Sequence, residues 1–157
     1  NNILTGNTCS TNNYGFYLSS SSNYNVLTNN ASSNNNNYGF YLSNSSSNNV
    51  LTYNTSSSNI SDGFILGSSS DNNVLTGNTS SGNSIAGFDF SVSSNNTITN
   101  NTSLNNNNNG FHFWVSNNNT IINNTSSNNG SGFYLENGSS NNILTNNTSL
   151  NNNSYCF

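Results

Sequence analysis

Few side chains in this 157-residue sequence can carry acid–base, nucleophilic or metal chemistry. Apart from the tyrosines, they are Asp62, Asp71, Asp89, His112, Glu136, Cys9 and Cys156. Lys and Arg are absent. Polysaccharide lyases and hydrolases use clustered carboxylates, and metal sites need several hard oxygen ligands or a His/Cys set. Because neither grouping is visible, the sequence predicts no catalytic residue, no metal ligand, no cofactor and no enzymatic activity.

One pair of these residues has a spacing that could support proton transfer. Asp89 and His112 occupy the same position in two successive repeats, so they should lie about 5 Å apart on neighbouring parallel strands. They could form a proton-transfer dyad, or a solvated surface pair that contributes about 0–1 kcal/mol. The lack of other charged groups favours the surface pair.

The elements that would position this pair come from an internal repeat of 22 to 24 residues. A Gly-Phe pair begins each unit near residues 15, 39, 63, 87, 110 and 132, after a partial coil at residues 1–14. In Phe40-Tyr41-Leu42 and its equivalents the outer two residues are apolar and the middle one varies, which is typical of a strand. Stacked repeats should form a core column of Phe16, Phe40, Phe64, Phe88, Phe111 and Phe133.

A second apolar anchor in each unit is followed three residues later by Asn, and then by a Thr- and Ser-rich segment. Asn carries both donors and an acceptor, so equivalent copies can bond from coil to coil. The predicted ladder is Asn7, Asn30, Asn54, Asn78, Asn101, Asn124 and Asn147. Three short strands in each unit, with no helical periodicity, predict an all-β parallel β-solenoid of about seven coils that forms one domain over residues 1–157.

Composition excludes several classes of protein. A chain without basic residues cannot neutralise phosphates, so nucleic acid is not an expected partner. No apolar run is long enough to span a membrane.

The units resemble the parallel β-helix repeats of NosD-type and related archaeal surface proteins. The resemblance covers the whole chain and is carried by segments such as Gly39-Phe40-Tyr41-Leu42-Ser43 followed by Asn48-Asn49 and Asn54. It implies a right-handed parallel β-helix with three sheets. The same repeat serves polysaccharide enzymes, surface adhesins and envelope proteins, so the resemblance does not fix the function.

The cysteines and the ends of the solenoid suggest self-assembly. Cys9 and Cys156 should lie about 29 Å apart along the rod, too far for an internal disulfide, but they could pair between rods stacked end to end. The end coils also lack the charged or proline-rich devices that usually block edge strands. We therefore expect an extracellular structural protein of the cell envelope, forming a filament, hoop, sheath or surface layer with itself as partner.

Two other functions compete with this expectation. Outward tyrosines could stack on sugars, which favours a carbohydrate-binding or carbohydrate-processing β-helix. A column of outward threonines, broken by Ile122, could favour an ice-binding solenoid. Asn-x-Ser sequons at Asn44, Asn59 and Asn137 are candidate glycosylation sites in a secreted protein.

Overall fold

The computed structural model describes all 157 residues and contains twenty short strands. It holds no helix that is long and apolar enough to cross a membrane. The strands form three parallel sheets, and each strand pairs with its equivalents in the coils above and below. The prediction of a parallel β-helix is therefore confirmed.

Each coil contributes one strand to each sheet in turn, except that the last coil adds none to the third sheet. The first sheet contains β1 (Ile3–Thr5), β4 (Val26–Thr28), β7 (Val50–Thr52), β10 (Val74–Thr76), β13 (Thr97–Thr99), β16 (Thr120–Ile122) and β19 (Ile143–Thr145). The second contains β2 (Thr8–Ser10), β5 (Ala31–Ser33), β8 (Thr55–Ser57), β11 (Thr79–Ser81), β14 (Thr102–Leu104), β17 (Thr125–Ser127) and β20 (Thr148–Leu150). The third contains β3 (Phe16–Leu18), β6 (Phe40–Leu42), β9 (Phe64–Gly67), β12 (Phe88–Ser91), β15 (Asn109–Trp114) and β18 (Ser131–Glu136).

The register places like residues above one another. Phe40 pairs with Phe64, and Leu27 pairs with Leu51. The rings of Phe40 and Phe64 are stacked, with their centroids 4.6 Å apart and their planes nearly parallel. This spacing matches the distance between neighbouring strands of a sheet, so the backbone repeat itself sets the aromatic stack. Because the apolar core consists mainly of two inward columns from the third sheet and one from the first, few apolar residues suffice to fill it.

Asn side chains close the corners of the coil. The Oδ1 atom of Asn54 accepts hydrogen bonds from the backbone N–H and from the Nδ2 of Asn30, at 2.9 and 3.0 Å. Its own Nδ2 donates to the carbonyl of Leu27 and to Oδ1 of Asn78. Two further ladders of the same kind run through Asn49 and Asn59. Buried polar groups are thereby satisfied, since no buried side-chain N or O atom lacks a partner.

The recurring Gly marks a point of close approach between sheets. Ser56 donates from Oγ to the carbonyl of Gly63, at 2.9 Å, inside the coil. A Cβ atom on Gly39 would collide with this Ser56 Oγ and would lie 2.6 Å from the carbonyl oxygen of Gly63. Glycine is therefore required at this position because no side chain fits there.

Candidate functional site

A cleft of about 600 Å³ runs along the outside of the third sheet. One side is formed by the outward residues in the middle of the third-sheet strands, and the other by the residues that precede the recurring Gly. Its side chains include Tyr38, Asp62, Asp89, His112, Tyr134, Glu136 and Tyr155. Three of the four carboxyl groups of the chain and its single imidazole therefore meet in this one cleft.

The imidazole of His112 lies between two carboxylates from neighbouring coils. Nδ1 is 3.0 Å from Oδ1 of Asp89 on β12, and Nε2 is 3.0 Å from Oε1 of Glu136 on β18. Burial lowers the pKa of His112, but hydrogen bonds and charges from Asp89 and Glu136 outweigh it and raise the pKa above its usual value. Both ring nitrogens can donate only in the imidazolium form, which this arrangement stabilises.

Asp62 is the most buried acid of the cleft, with 3% of its surface exposed. It accepts a 2.7 Å hydrogen bond from the backbone N–H of Ala86 and a longer one from Ser61 Oγ. Desolvation, followed by repulsion from Asp89, raises the pKa of Asp62 from 3.8 to about 7. A carboxyl group with this pKa can donate or accept a proton near neutral pH.

Tyrosines lie at both ends of the acidic cluster. At one end, the rings of Tyr38 and Tyr41 are 4.9 Å apart, and Tyr38 also stacks on Tyr14 at 5.7 Å. At the other end, Tyr134 stacks on Tyr155 at 5.8 Å. Five coil steps separate Tyr38 from Tyr155, which is about 24 Å along the rod. An elongated ligand could therefore contact an aromatic ring at each end and the ionisable groups between them.

The sequence located only part of this cluster. It placed Asp89 beside His112, but it connected neither Asp62 nor Glu136 with this pair. The cue for Asp62 was its position directly before Gly63, next to the outward strand column that contains Asp89. For Glu136 the cue was a long side chain two residues after Tyr134, within diagonal reach of the neighbouring strand.

The other predicted site residues lie away from the cleft. The Phe stack fills the core and the predicted Asn ladder occupies the corner between the first two sheets. Asn44 and Asn137 are exposed, so both remain predicted glycan acceptors. Asn59 was predicted to be another, and this is wrong because it is 1% exposed and bonded to Asn83.

The two cysteines are free thiols in the first and last coils. Cys9 takes the inward place that Ser32 occupies in the next coil and packs against the apolar core. Cys156 is exposed. A disulfide between subunits stays a prediction.

The fold and the site define a class of protein: a parallel β-helix with a cleft of ionisable residues on one sheet. The family described as "Periplasmic copper-binding protein (NosD)" matches residues 1–79 and 46–157. The chain belongs to the NosD family.

The solved structures that match the chain include two sugar epimerases. The periplasmic alginate epimerase AlgG matches 94% of this chain and 39% of its own, with 22% identity and a TM-score of 0.87. The A-module of mannuronan C-5 epimerase AlgE4 from Azotobacter vinelandii matches 99% and 55%, with 15% identity and a TM-score of 0.73. The chain thus spans about two fifths to just over half of these proteins. No curated protein sequence matches it.

These comparisons correct two expectations. The prediction of a protein without enzymatic activity is contradicted, because the matching structures are of enzymes. Composition was a poor guide to how the few acids are distributed, because the fold gathers three of them in one cleft. The second correction concerns assembly. We expected a self-assembling archaeal envelope protein that forms a filament, hoop, sheath or surface layer, and neither the matching family nor the matching structures support this expectation.

The copper-binding description of the family does not fit the ionisable residues of this chain. No three His, Cys, Asp or Glu side chains are arranged to hold one metal ion. The two nitrogens of His112 point to different carboxylates, and neither cysteine lines the cleft. Copper sites use several His, Cys or Met ligands, and this chain has one His and no Met.

Proposed function

We propose that the protein binds a polysaccharide along the third-sheet cleft and processes it by acid–base chemistry. The observation that carries this proposal is the convergence of Asp62, Asp89, His112 and Glu136 between tyrosines in a single cleft. Neutral sugars present apolar ring faces and hydroxyl groups, and a cleft lined by tyrosines and carboxylates offers a counterpart for both. The matching epimerases support a carbohydrate ligand.

Each group in the cluster has a chemical role in this proposal. Asp62 is the proton donor, because its raised pKa keeps much of it protonated near neutral pH. His112 is held by Asp89 and Glu136, and these carboxylates accept protons or stabilise positive charge that develops on a sugar ring. Cleavage of a glycosidic bond is the reaction that a protonated carboxyl group and a nearby carboxylate serve.

We also propose a location outside the cytoplasm, in the periplasm or elsewhere in the envelope. The support is the periplasmic description of the family and of AlgG. An envelope location would give the cleft access to polysaccharides.

The test combines binding with turnover on a panel of polysaccharides. Affinity electrophoresis should reveal retardation on at least one of them, and release of reducing ends should follow. Tyr38→Ala and Tyr134→Ala should weaken binding several-fold. Asp62→Asn should retain measurable binding and lose turnover, because the amide cannot donate the required proton.

The matched control is Tyr53→Ala, which removes a 62% exposed tyrosine at a corner outside the cleft. It should bind like the unmodified protein. The proposal fails if no polysaccharide binds, or if Tyr53→Ala weakens binding as much as the cleft variants do.

A further inference from the structure

The charge of the cleft is unbalanced. Asp62, Asp89 and Glu136 supply three carboxyl groups, and His112 is the one side chain there that can become positive. The ion pairs of the structure join His112 to Asp89 and to Glu136. Asp62 forms no ion pair, although only 3% of its surface is exposed. The cleft therefore retains excess negative charge even when the imidazole is protonated.

Buried carboxylates are stabilised by nearby positive charge. The protein supplies little of that charge, because it has no Lys or Arg and its one imidazole, His112, is already paired with Asp89 and Glu136. A ligand can supply it. A ligand that brings carboxylates of its own would meet repulsion instead, because the only imidazole of the cleft is already held between two carboxylates.

We infer that the cleft selects glycans that carry free amino groups, such as oligomers of glucosamine, over neutral and acidic glycans. This inference rests on the proposed function, because it names the substrate class of the same cleft. It separates this chain from its structural matches, since mannuronan is a polymer of an acidic sugar. An ammonium group beside Asp62 would favour the ionised form of this carboxyl and provide the counter-charge that the ionised form lacks.

The charge preference can be separated from shape with three hexasaccharides. Glucosamine and N-acetylglucosamine hexamers share one backbone and differ in the charge of the amine, and a mannuronate hexamer carries the opposite charge. Calorimetry at low salt and near-neutral pH, where Asp62 is partly ionised, should show the glucosamine hexamer binding about tenfold more tightly than its acetylated form. Mannuronate should bind most weakly, and added salt should narrow the differences.

Two charge-matched variants distinguish the cleft from the overall charge of −4. Asp62→Asn should reduce the preference for the free amine about fivefold. Asp71 lies outside the cleft, where it accepts a hydrogen bond from the backbone N–H of Ser94. Asp71→Asn removes the same charge as Asp62→Asn and should keep the preference for the free amine.

The possible results distinguish a failure of the charge preference from a failure of the proposed polysaccharide binding. If the acetylated or the mannuronate hexamer binds as tightly as the glucosamine hexamer, the charge selection is wrong and the polysaccharide cleft stands. The selection is also wrong if both Asn variants reduce it equally, because total charge would then explain it. If none of the hexamers binds and the polysaccharide panel also fails, the proposed function itself is wrong.

Discussion

Oε1 of Glu136 lies 3.0 Å from Nε2 of His112, on the opposite side of the imidazole from Asp89. Glu136 ends β18, whereas His112 lies on β15, so the contact crosses between neighbouring coils. The fold brings together two residues 24 positions apart and gives the only imidazole of the chain two carboxylate partners. Because Glu136 and Asp89 both contact His112, the pKa of this one imidazole reports the charge of the cleft.

The first prediction concerns the pKa of His112. Glu136→Gln keeps an oxygen acceptor beside Nε2 but removes the negative charge, so the pKa of His112 should fall. NMR titration can follow this change without assignment ambiguity, because the chain has one His. Asp71→Asn is the control and should leave the titration unchanged. An unchanged titration in Glu136→Gln would mean that the Glu136 contact does not persist in solution.

The second prediction concerns stability against pH. The pKa of Asp62 is raised from 3.8 to about 7, so the folded state holds a proton that the unfolded chain releases. The free energy of unfolding should therefore fall as pH rises from about 4 to 7, by about 2–4 kcal/mol from this group. The raised pKa of His112 acts in the same direction, with its stabilisation lost as pH rises through its folded-state pKa.

Asp62→Asn isolates the first of these contributions. The amide retains an acceptor for the Ala86 N–H and carries no charge, so the variant should lose most of the pH dependence between about 4 and 7. Denaturant unfolding at a series of pH values measures this. A wild-type stability that rises over that interval would contradict the buried position of Asp62.

The repeat made the fold predictable to the level of register. Gly-Phe at a constant spacing required that Phe40 and Phe64 stack, and the pairing of their strands follows it. The same logic placed Asp89 beside His112 in one column. Residues at equivalent positions of successive repeats stack directly above one another. These contacts follow from the number of residues in each repeat.

The remainder of the cleft depends on contacts between columns. The approach of Asp62 to Asp89 is set by the path of the chain as it enters the third sheet, and no residue count encodes that path. The reach of Glu136 to His112 is diagonal and depends on a rotamer. Asn59 shows the same limit, because its sequon suggested an accessible turn while its place in a second ladder buries it.

The third prediction tests the Asn ladders. Asn54→Ala would leave the backbone N–H of Asn30 and the carbonyl of Leu27 without these partners in the interior. Each unsatisfied buried group costs about 1–3 kcal/mol, so the variant should lose at least about 2 kcal/mol of stability, measured by denaturant unfolding. Asn36→Ala is the control, since Asn36 is exposed, and should change stability by less than about 0.5 kcal/mol. Equal effects would show that burial in the ladder is not what makes Asn54 important.

The fourth prediction tests the close contact between sheets through a matched pair of glycines. Gly39→Ala places a Cβ against Ser56 Oγ and the carbonyl oxygen of Gly63, which are held in place by their own hydrogen bond in the next coil. Gly67→Ala places a Cβ no nearer than 3.7 Å to the carbonyl oxygen of Ser91, an ordinary contact. Overpacking typically costs 1–3 kcal/mol, so Gly39→Ala should lose about that much or more.

Gly67→Ala should be neutral or slightly stabilising, because Ala restricts the unfolded chain more than Gly does and neither position requires a positive φ. Denaturant unfolding of both variants provides the comparison. If glycine served only to make the chain flexible, both substitutions would change the stability by a similar small amount. If the contact of Ser56 with Gly39 requires glycine, only Gly39→Ala should lower the stability. Ser56→Ala combined with Gly39→Ala should then recover part of the loss, since it removes the Oγ that the new methyl group meets.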